Sequence, residues 1–450
     1  MRILWLNPNL LVPLDKGGKL RTWHLLRQLA PRHDITYVCF APPAARPEHL
    51  EAMHQVCARL VAMPREDPPK GTPRFWLHAA RFLLDPLPYA VAKYRSRRFA
   101  RAVAEILRVE RPDVVVCDFL PPLVNLPRGP LPAPMVLFTH NVEAEIWRRH
   151  ALNAAGPRRA LLRGQWRRMQ AFESAALARA DLVLAVSDAD RETFARLYPG
   201  RAPRCLVVPT GVDTTYFRPP VALDADPHRL VFTGSMDWLP NEDAMLYCCR
   251  EILPVIRRRE PGVSLQIVGR DPTPAVRRLA REPGVEVTGT VDDIRPYLAR
   301  AGAVVVPLRI AGGTRLKIFE AMAMGRPVVA TTVGAEGLPV ADGRDILIAD
   351  DPERFAAAVV RLVRDDAERR RIGLAARRLV ESRYDWAVVA RALEEAVTAV
   401  ARAASPRPAA ISGSGAVAQA GAAASGGSPA SRQASSPPNR FAAAAVEEPS

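Results

Sequence analysis

The sequence predicts an α/β protein with two Rossmann-like domains, each built on a doubly wound parallel sheet. In both halves of the chain, short apolar runs of strand length alternate with helical patterns at the spacing of βαβ units. Glycine-containing or polar loops follow several of these runs. In such sheets ligands bind outside the carboxyl ends of the strands, so we expect the functional residues in these loops.

The alternation starts at the amino terminus. The expected elements are, in chain order, a strand at 3–6, a glycine loop at 15–19, a helix at 20–30 and strands at 35–40, 114–117, 135–138, 182–186 and 205–208. These elements are sufficient for one doubly wound domain.

A second series begins at Arg229. Its strand-like segments are RLVFTG, SLQIVGR, VEVTGTV, AVVVPL and VVA, with a helical segment from Asn241 after the first of them. Gly325-Arg326-Pro327 ends the helix that precedes the last strand at 328–330, because glycine and proline do not continue a helix.

These patterns divide the chain into four parts. We predict a first domain at 1–215, a second domain at 216–381, a helix at 382–402 and a tail at 403–450. The tail consists mainly of Ala, Ser, Pro and Gly, and Phe441 is its single aromatic residue. Such a composition buries too little apolar surface to offset the entropy of ordering, so we expect the tail to be disordered.

The charge balance narrows the classes of partner. Across 450 residues, 63 basic residues outnumber 47 acidic ones, which gives a formal charge of +16. A basic protein attracts nucleic acid, anionic lipid or phosphorylated substrates. No nucleic-acid-binding motif accompanies the charge, so we expect no nucleic-acid partner.

The cysteines and the apolar runs of the sequence indicate the cellular compartment of the protein. The six cysteines form no CxxC pair, and most lie in apolar runs, so we expect small buried thiols in a reducing environment. The amino-terminal segment MRILWLNPN is too short for a signal peptide and fits a first strand. No apolar run reaches the roughly 20 residues of a membrane span. The expected location is the cytoplasm, with attachment to the inner face of the membrane left open.

The segment 309–330, RIAGGTRLKIFEAMAMGRPVVA, carries the strongest functional signal. Gly312 and Gly313 precede a helix that opens with Arg315 and Lys317, and Glu320 follows one turn later. Helix amino termini favour anions, and glycines permit close approach of a phosphate to the backbone. The segment is therefore a candidate cradle for a nucleoside diphosphate, with Glu320 accepting ribose hydroxyls. A plain turn followed by solvated basic residues is the alternative.

Several motifs in order extend this signal. The runs VPTGVDTTYF, IVGR, GTVDDIRPYLARAGAVVVPL and GGTRLKIFEAMAMGRPVVATTVGAEGL resemble the donor domain of retaining family-4 glycosyltransferases of the GT-B fold. GSMDWLPNEDA resembles the corresponding segment of sugar transferases from bacterial exopolysaccharide clusters. The resemblance is dense from about residue 206 to 338 and thinner before it.

The resemblance implies the architecture and the roles of particular residues. It implies two Rossmann-like domains that face each other across a cleft, with the acceptor on the first, the nucleotide-sugar on the second, and a last helix that crosses back. The residues it assigns to donor binding are Gly17, Gly18, Gly234, Gly269, Thr290, Val291, Gly312, Gly313, Thr314 and Glu320. It implies no cofactor and no metal ion.

Two departures from the family pattern matter. Many members carry an arginine and a lysine after the first donor-domain strand, where this chain has GSMDWLPN at 234–241. We infer that Arg315 and Lys317 supply the missing charge, with Arg309 as a further candidate. Gly312 stands where the family has the first of two glutamates eight positions apart, and Glu320 matches the second. The selectivity for the donor sugar is therefore open.

In the first domain, the candidates follow an expected strand. His140 in FTHNVEAE emerges where the strand ends, and the family places a histidine there against the donor sugar. We expect it to bond a sugar hydroxyl and group it with Arg315 and Lys317 as catalytic; a merely structural histidine is the alternative. Asn141 and Glu143 are candidates for acceptor binding. Gly17-Gly18 matches the family's glycine loop, although an ordinary strand-to-helix turn fits it too.

Two charged features have competing interpretations. Asp292-Asp293 resembles a metal-binding pair, but it opens a helix, which favours capping. Residues 74–101 combine aromatic residues with a basic end, and the arginine pairs at 148–149, 158–159 and 167–168 follow. This stretch is either a surface for an anionic membrane that holds a polyprenyl-linked acceptor, or a helical pair with a solvated basic face.

The sequence thus predicts a metal-independent glycosyltransferase. It would move a sugar with retention from a UDP- or GDP-sugar to an exopolysaccharide or another lipid-linked glycan. A non-catalytic nucleotide-binding partner protein of the same fold is one alternative, favoured by the missing basic pair. A nucleotide-sugar epimerase is another, and it would consume donor without an acceptor.

Overall fold

The computed structural model describes residues 1–69, 71–82, 85–202, 204–219, 225–310 and 315–404. Two parallel sheets organise this part of the chain. The first has seven strands in the order β3-β2-β1-β4-β5-β6-β7, and the second has six in the order β10-β9-β8-β11-β12-β13. The predicted fold class of two doubly wound domains is confirmed.

The first sheet is made of β1 to β7, which are Arg2–Leu6, Asp34–Ala41, Arg59–Pro64, Val114–Asp118, Met135–Phe138, Leu182–Ala185 and Cys205–Val207. Its helices α1 to α8 are Gly17–Leu29, Pro47–Met53, Pro73–Ala80, Tyr89–Ala92, Arg97–Val109, Glu143–Leu152, Gly156–Arg179 and Asp188–Leu197. A short 3₁₀ helix spans Pro121–Asn125.

Helices on both faces explain why these strands are continuous apolar runs. Ile3 and Trp5 of β1 point into one core layer, and Leu4 and Leu6 point into the other. All four side chains are buried, as expected for a parallel sheet covered on both sides.

The second sheet is made of β8 to β13, which are Asp226–Thr233, Ser264–Val268, Val285–Gly289, Ala301–Val306, Val328–Ala330 and Leu347–Ile348. The helices α9 to α16 are Leu239–Tyr247, Leu253–Arg259, Pro274–Leu279, Arg295–Arg300, Leu316–Ala323, Thr332–Ala335, Pro352–Arg364 and Asp366–Arg383. A π-helical turn, Cys248–Ile252, joins α9 to α10.

The last helix, α17 (Trp386–Ala404), packs on the first domain rather than on the second. Its buried residues Trp386, Val389 and Leu393 share a core layer with residues of β1 and α1. Where the chain returns, Val212 pairs with Asp385 in a parallel β-bridge. A Cβ on Gly211 would lie 2.7 Å from the Trp386 ring. The segment that leaves the first domain and the segment that returns to it therefore pack directly against each other.

The structure adjusts two expectations. Gly17 and Gly18 form the first turn of α1 rather than a loop over 15–19. The last helix continues to residue 404, two residues into the predicted tail. Gly312, Gly313 and Thr314, and the rest of the tail from 405 to 450, lie outside the described residues. Within the described part of the chain, no helix is both long and apolar enough to span a bilayer.

Candidate active site

Three residues of the first domain meet where β4, β5 and α1 converge. His140 lies two residues beyond the end of β5, and Phe119 directly follows β4. The two rings stack, with centroids 3.7 Å apart and planes inclined by 7°. A Cβ placed on Gly18 would lie 3.6 Å from His140 Nδ1 and 2.9 Å from Phe119 Cζ. The first turn of α1 therefore borders the imidazole.

The structure reveals a partner of His140 that the sequence analysis missed. His140 Nε2 lies 2.6 Å from Asp118 Oδ1, at the end of β4. Asp118 is completely buried, and its Oδ2 accepts three further hydrogen bonds. The donors are Trp5 Nε1 at 3.1 Å, Asn7 Nδ2 at 2.7 Å and Thr22 Oγ1 at 2.7 Å. Four donors around one carboxylate satisfy most of its lone pairs.

This environment sets the charge of both groups. Burial opposes ionisation of Asp118, but the interactions with His140, Thr22 and Trp5 outweigh it and lower the carboxyl pKa. Burial also lowers the pKa of His140, against the opposite effect of Asp118. Near neutral pH the carboxylate is charged and the imidazole is neutral. The proton of the ring is then on Nε2, which donates it to Asp118, and Nδ1 is an acceptor beside Gly18.

Phe119 adopts a backbone conformation that non-glycine residues seldom take. Its φ is +70°, in the left-handed region. Such a conformation costs about 1–3 kcal/mol and is concentrated at functional sites. Here the left-handed backbone places the Phe119 ring over His140. The imidazole therefore lies between the rings of Phe119 and Phe138.

Asn141 and Glu143, the predicted acceptor residues, follow His140 along the chain. Asn141 is exposed and precedes α6, whereas Glu143 is partly buried in its first turn. Burial raises the pKa of Glu143, and a hydrogen bond with the Asn141 side chain opposes that effect. The two side chains therefore point toward each other at the start of α6.

In the second domain, two predicted glycines join neighbouring strand ends. Gly234 follows β8 and Gly269 follows β9, with φ values of +157° and +154°. A side chain on Gly269 would overlap the carbonyl oxygen of Gly234, so packing alone requires glycine at Gly269. A Cβ on Gly234 would lie 2.7 Å from Asn241 Nδ2 and 2.9 Å from Lys317 Nζ.

Lys317 reaches across to this loop from the first turn of α13. Its Nζ donates to Asn241 Oδ1 at 2.7 Å and lies 3.8 Å from the centroid of the Phe232 ring. The ammonium group is therefore beside GSMDWLPN, the segment without a basic residue of its own. Lys317 is one of the three cations, with Arg315 and Arg309, that we proposed as the source of the charge missing from this segment.

Lys317 and Glu320 share a poorly solvated environment. Burial lowers the pKa of Lys317 to about 7, although the charge of Glu320 acts in the opposite direction. Burial likewise raises the pKa of Glu320 to about 7, opposed by Lys317. Both groups thus titrate near neutral pH, and an anion beside Lys317 would favour its charged form.

The other two cations of the hypothesis have protein partners. Arg315 is buried, and its guanidinium donates to the carbonyl oxygens of Gly334 at 3.0 Å and Val333 at 2.9 Å. Arg309 makes a two-pronged ion pair with Asp243, at 3.0 and 2.6 Å. Arg315 therefore fastens the loop after β12, and Asp243 neutralises Arg309. Of the three cations, Lys317 is the one directed at the loop after β8.

The remaining donor candidates line the adjoining strand ends. Thr290 is exposed and Val291 is partly buried, both after β10. Asp293 accepts the backbone N–H of Arg295 at 2.9 Å, which agrees with the predicted capping role. The sequence analysis missed Arg270, whose Nε donates to Ser235 Oγ at 3.1 Å. Its signal was its position directly after Gly269, at the carboxyl end of a strand.

Two acidic residues that follow strands of the two sheets interact through their charges. Asp190, at the start of α8, is close enough to Glu336, after β12, for their charges to interact. Burial raises the pKa of Asp190, and Glu336 adds to that effect. The segments that follow β6 and β12 therefore lie near each other.

Two protein-family models match separate parts of the chain. The model of Glycosyltransferase Family 4 matches residues 16–216, and the model of Glycosyl transferases group 1 matches residues 227–365. Each of the two domains is therefore similar to a glycosyltransferase family, and together they have the GT-B fold.

Individual relatives match about half of the chain. A D-inositol 3-phosphate glycosyltransferase of Nocardioides sp. is 30% identical over 241 residues, 47% of this chain and 52% of the relative. A GDP-mannose-dependent α-(1-6)-phosphatidylinositol monomannoside mannosyltransferase of Mycobacterium tuberculosis is 30% identical over 239 residues, 48% of this chain and 61% of the relative. The aligned segment thus spans about half to three fifths of these relatives.

Solved structures extend the likeness of the fold to most of the chain. Anabaena HepE in complex with UDP and glucose has a TM-score of 0.59 at 16% identity, covering 88% of this chain and 99% of HepE. Sucrose-phosphate synthase from Thermosynechococcus elongatus has a TM-score of 0.62 at 17% identity, covering 90% of this chain and all of the synthase.

Proposed function

We propose that the protein transfers a sugar with retention from a UDP- or GDP-sugar to an exopolysaccharide or another lipid-linked glycan. The observation that carries the proposal is the placement of Lys317 Nζ beside Gly234 and Asn241. A cation at this strand end is suited to the diphosphate of a nucleotide-sugar. The relatives support this donor class, since one is GDP-mannose-dependent and HepE is complexed with UDP.

Charge development explains why Lys317 would matter for the reaction. Cleavage of the glycosidic bond to a diphosphate places negative charge on the leaving oxygens. A preorganised cation in a poorly solvated site stabilises that charge more than one in water. In this proposal Lys317 supplies the charge without a metal ion, and Arg315 holds the loop after β12 in place.

His140 has a binding role in the proposed reaction. Its neutral imidazole presents Nδ1 as an acceptor for a hydroxyl of the donor sugar, and Asp118 fixes the ring. In a front-face route with retention, the departing phosphate takes the proton of the acceptor hydroxyl while that oxygen attacks the anomeric carbon. No enzyme nucleophile is then required. Asn141 and Glu143 would bind the acceptor beside His140.

A surface patch supports a membrane-bound acceptor. Trp76 and Leu77 on α3 are 62% and 65% exposed. Helix α3 contacts Tyr89 through Phe75, and the Tyr89 backbone N–H donates to Gln165 of α7. Helix α7 also carries exposed arginines at Arg158, Arg159, Arg163 and Arg167. Apolar tips flanked by cations suit the surface of an anionic membrane.

The donor site is tested by isothermal titration with UDP, GDP and ADP. We expect one nucleotide to bind wild type, and Lys317→Met to weaken that binding about 10- to 100-fold, since hydrogen bonds to charged groups contribute about 1.5–3 kcal/mol. Arg309→Met is the matched control, because Asp243 already neutralises Arg309; its affinity should stay within about threefold of wild type. Equal losses in both variants would contradict the assignment to Lys317.

The alternatives predict different outcomes of the same series. A non-catalytic partner protein would bind nucleotide but release none from any UDP- or GDP-sugar. An epimerase would convert the donor sugar without an acceptor. Transfer to a lipid-linked acceptor, with the anomeric configuration read by NMR, supports the proposed reaction and tests retention.

The membrane patch is tested by liposome flotation. Wild type should float with phosphatidylglycerol vesicles at low salt and dissociate as salt rises, because surface attraction is screened. The double variant Trp76→Ser, Leu77→Ser should stay in the load fraction. Leu374→Ser, which alters a leucine 56% exposed on α16, is the control and should float as wild type does. No flotation of wild type would remove the membrane from the proposal.

A further inference from the structure

Glu173 is a buried carboxylate outside the reaction described above. It lies on α7 and has no exposed surface. Its Oε1 accepts the backbone N–H of Glu143 at 2.8 Å, and its Oε2 accepts that of Ala144 at 3.3 Å. Tyr198, at the end of α8, donates its hydroxyl to Oε2 at 2.6 Å.

Through these contacts, Glu173 of α7 caps the first turn of α6. The residue before α6 is Val142, whose side chain cannot accept a hydrogen bond. Helix amino termini leave several N–H groups without intrahelical partners, and Glu173 accepts two of them. On the other side of His140, Thr139 donates its N–H and its hydroxyl to Leu184 O, both at 2.9 Å. The short segment around His140 is therefore fastened at both ends.

We propose that Glu173, held by Tyr198, is a positioning residue that fixes the segment from His140 to Glu143 for sugar transfer. The inference rests on the proposed function. In it, α7 and α8 determine the orientation of the imidazole and of the acceptor residues, although neither Glu173 nor Tyr198 touches substrate.

The chemical type of the residue supports a purpose beyond packing. Burying a carboxylate is unfavourable, and apolar replacements of buried charged groups are often neutral or stabilising. Burial raises the pKa of Glu173 to about 7, against its three hydrogen bonds, and the nearby charge of Glu143 adds to the rise. Both oxygens of the buried Glu173 carboxylate accept hydrogen bonds, and such a satisfied polar network fixes the orientation of the backbone groups that it binds.

The test compares Glu173→Ala, Glu173→Gln and Tyr198→Phe with Asp181→Asn. Asp181 is a matched control, because its carboxylate also accepts a backbone N–H from another element, that of Met135 at 2.7 Å, but at the opposite end of β5 from His140. Three readouts are needed: hydrogen exchange at the amides of 143 and 144, the His140 imidazole resonances, and steady-state turnover of the nucleotide-sugar.

For Glu173→Ala we expect faster exchange at both amides, shifted His140 resonances and a kcat about tenfold lower, because small misplacements at a reacting centre have effects of this size. The KM for donor should change less than about threefold, since the nucleotide binds the other domain. Glu173→Gln should recover part of the kcat. Tyr198→Phe, which removes one oxygen and retains the ring, keeps the test valid if Glu173→Ala fails to fold.

Asp181→Asn should alter exchange at Met135 and leave kcat and the His140 resonances unchanged. Unchanged His140 resonances and kcat in Glu173→Ala, or equal losses in Asp181→Asn, would overturn the inference. If wild type turns over no donor, the proposed function fails, whereas exchange and the His140 resonances still decide whether Glu173 positions this segment.

Discussion

Asp118 in the first domain and Lys317 in the second both carry charge at the carboxyl end of a strand, but their surroundings differ. Asp118 is fully buried and receives four hydrogen bonds, and its interactions with His140, Thr22 and Trp5 lower its pKa against the effect of burial. Lys317 has one strong hydrogen bond, to Asn241, and burial brings its pKa down to about 7. One charge is stabilised by the fold, and the other is destabilised by it.

The difference indicates how the two sides of the cleft would function. A satisfied carboxylate gives His140 one orientation before any ligand arrives. The ammonium group of Lys317 is poorly solvated and has one strong hydrogen bond within the protein. Its attraction to a diphosphate would therefore contribute directly to binding. The first domain is organised in advance, whereas the second holds a charge that a ligand would complete.

The strongest test of this contrast is stability. Asp118→Asn should lower the free energy of unfolding by about 2–4 kcal/mol, because the amide N–H₂ would meet buried donors and leave them unsatisfied. Lys317→Met should change it by less than about 1 kcal/mol, or raise it, since a poorly solvated charge is removed. Urea denaturation of both variants measures the difference. Similar losses would mean that Lys317 is as satisfied by the fold as Asp118.

A second expected effect is the proton that Lys317 takes up when a nucleotide binds. At pH 8 a group with a pKa of about 7 is mostly neutral, and binding of a diphosphate raises that pKa, so about one proton should be taken up. Glu320 is already ionised at pH 8 and contributes little. Nucleotide affinity should accordingly fall as the pH rises above 7. Titrations in buffers of different ionisation enthalpy count the protons, and Lys317→Met should abolish the uptake.

The smallest expected effect concerns the packing around His140. In Gly18→Ala the new methyl would lie 2.9 Å from Phe119 Cζ and displace the ring that stacks on His140. Turnover should fall several-fold while stability is retained, because alanine favours a helix by about 1 kcal/mol over glycine. Gly164→Ala, within α7 where a methyl meets no atom within 4 Å, is the control. Equal activity of the two variants would show that this packing does not matter for turnover.

The sequence predicted most strands because most are apolar runs between helices, but it missed β3 (Arg59–Pro64) and β13 (Leu347–Ile348). The strand at 135–138 has the predicted bounds, and β1, β6 and β7 differ from theirs by one residue. His140 and Lys317 were identifiable because they follow a strand or open a helix. Asp118 was not singled out, since it closes the apolar run VVVCD; its signal was its place beside β1, where the strand order reverses.

Other parts of the site depend on tertiary structure and leave little trace in sequence. The left-handed backbone of Phe119 is set by its stacking on His140 rather than by residue type. Glu173 occupies the middle of a long helix, and its partners on α6 and α8 are about 25 to 30 residues away. Arg315 was grouped with Lys317 from spacing, but burial directs its guanidinium to Val333 and Gly334.

The return of α17 to the first domain has a consequence for biosynthesis. Topologically, the second domain is an insertion between Val212 and Asp385, and the residues that close the first core come after it. During translation, the face of α1 at His24, whose ring stacks on Trp386 with centroids 5.1 Å apart, is not covered until α17 has left the ribosome. The second domain can therefore finish folding first, and a fragment ending before α17 would present an apolar surface to chaperones.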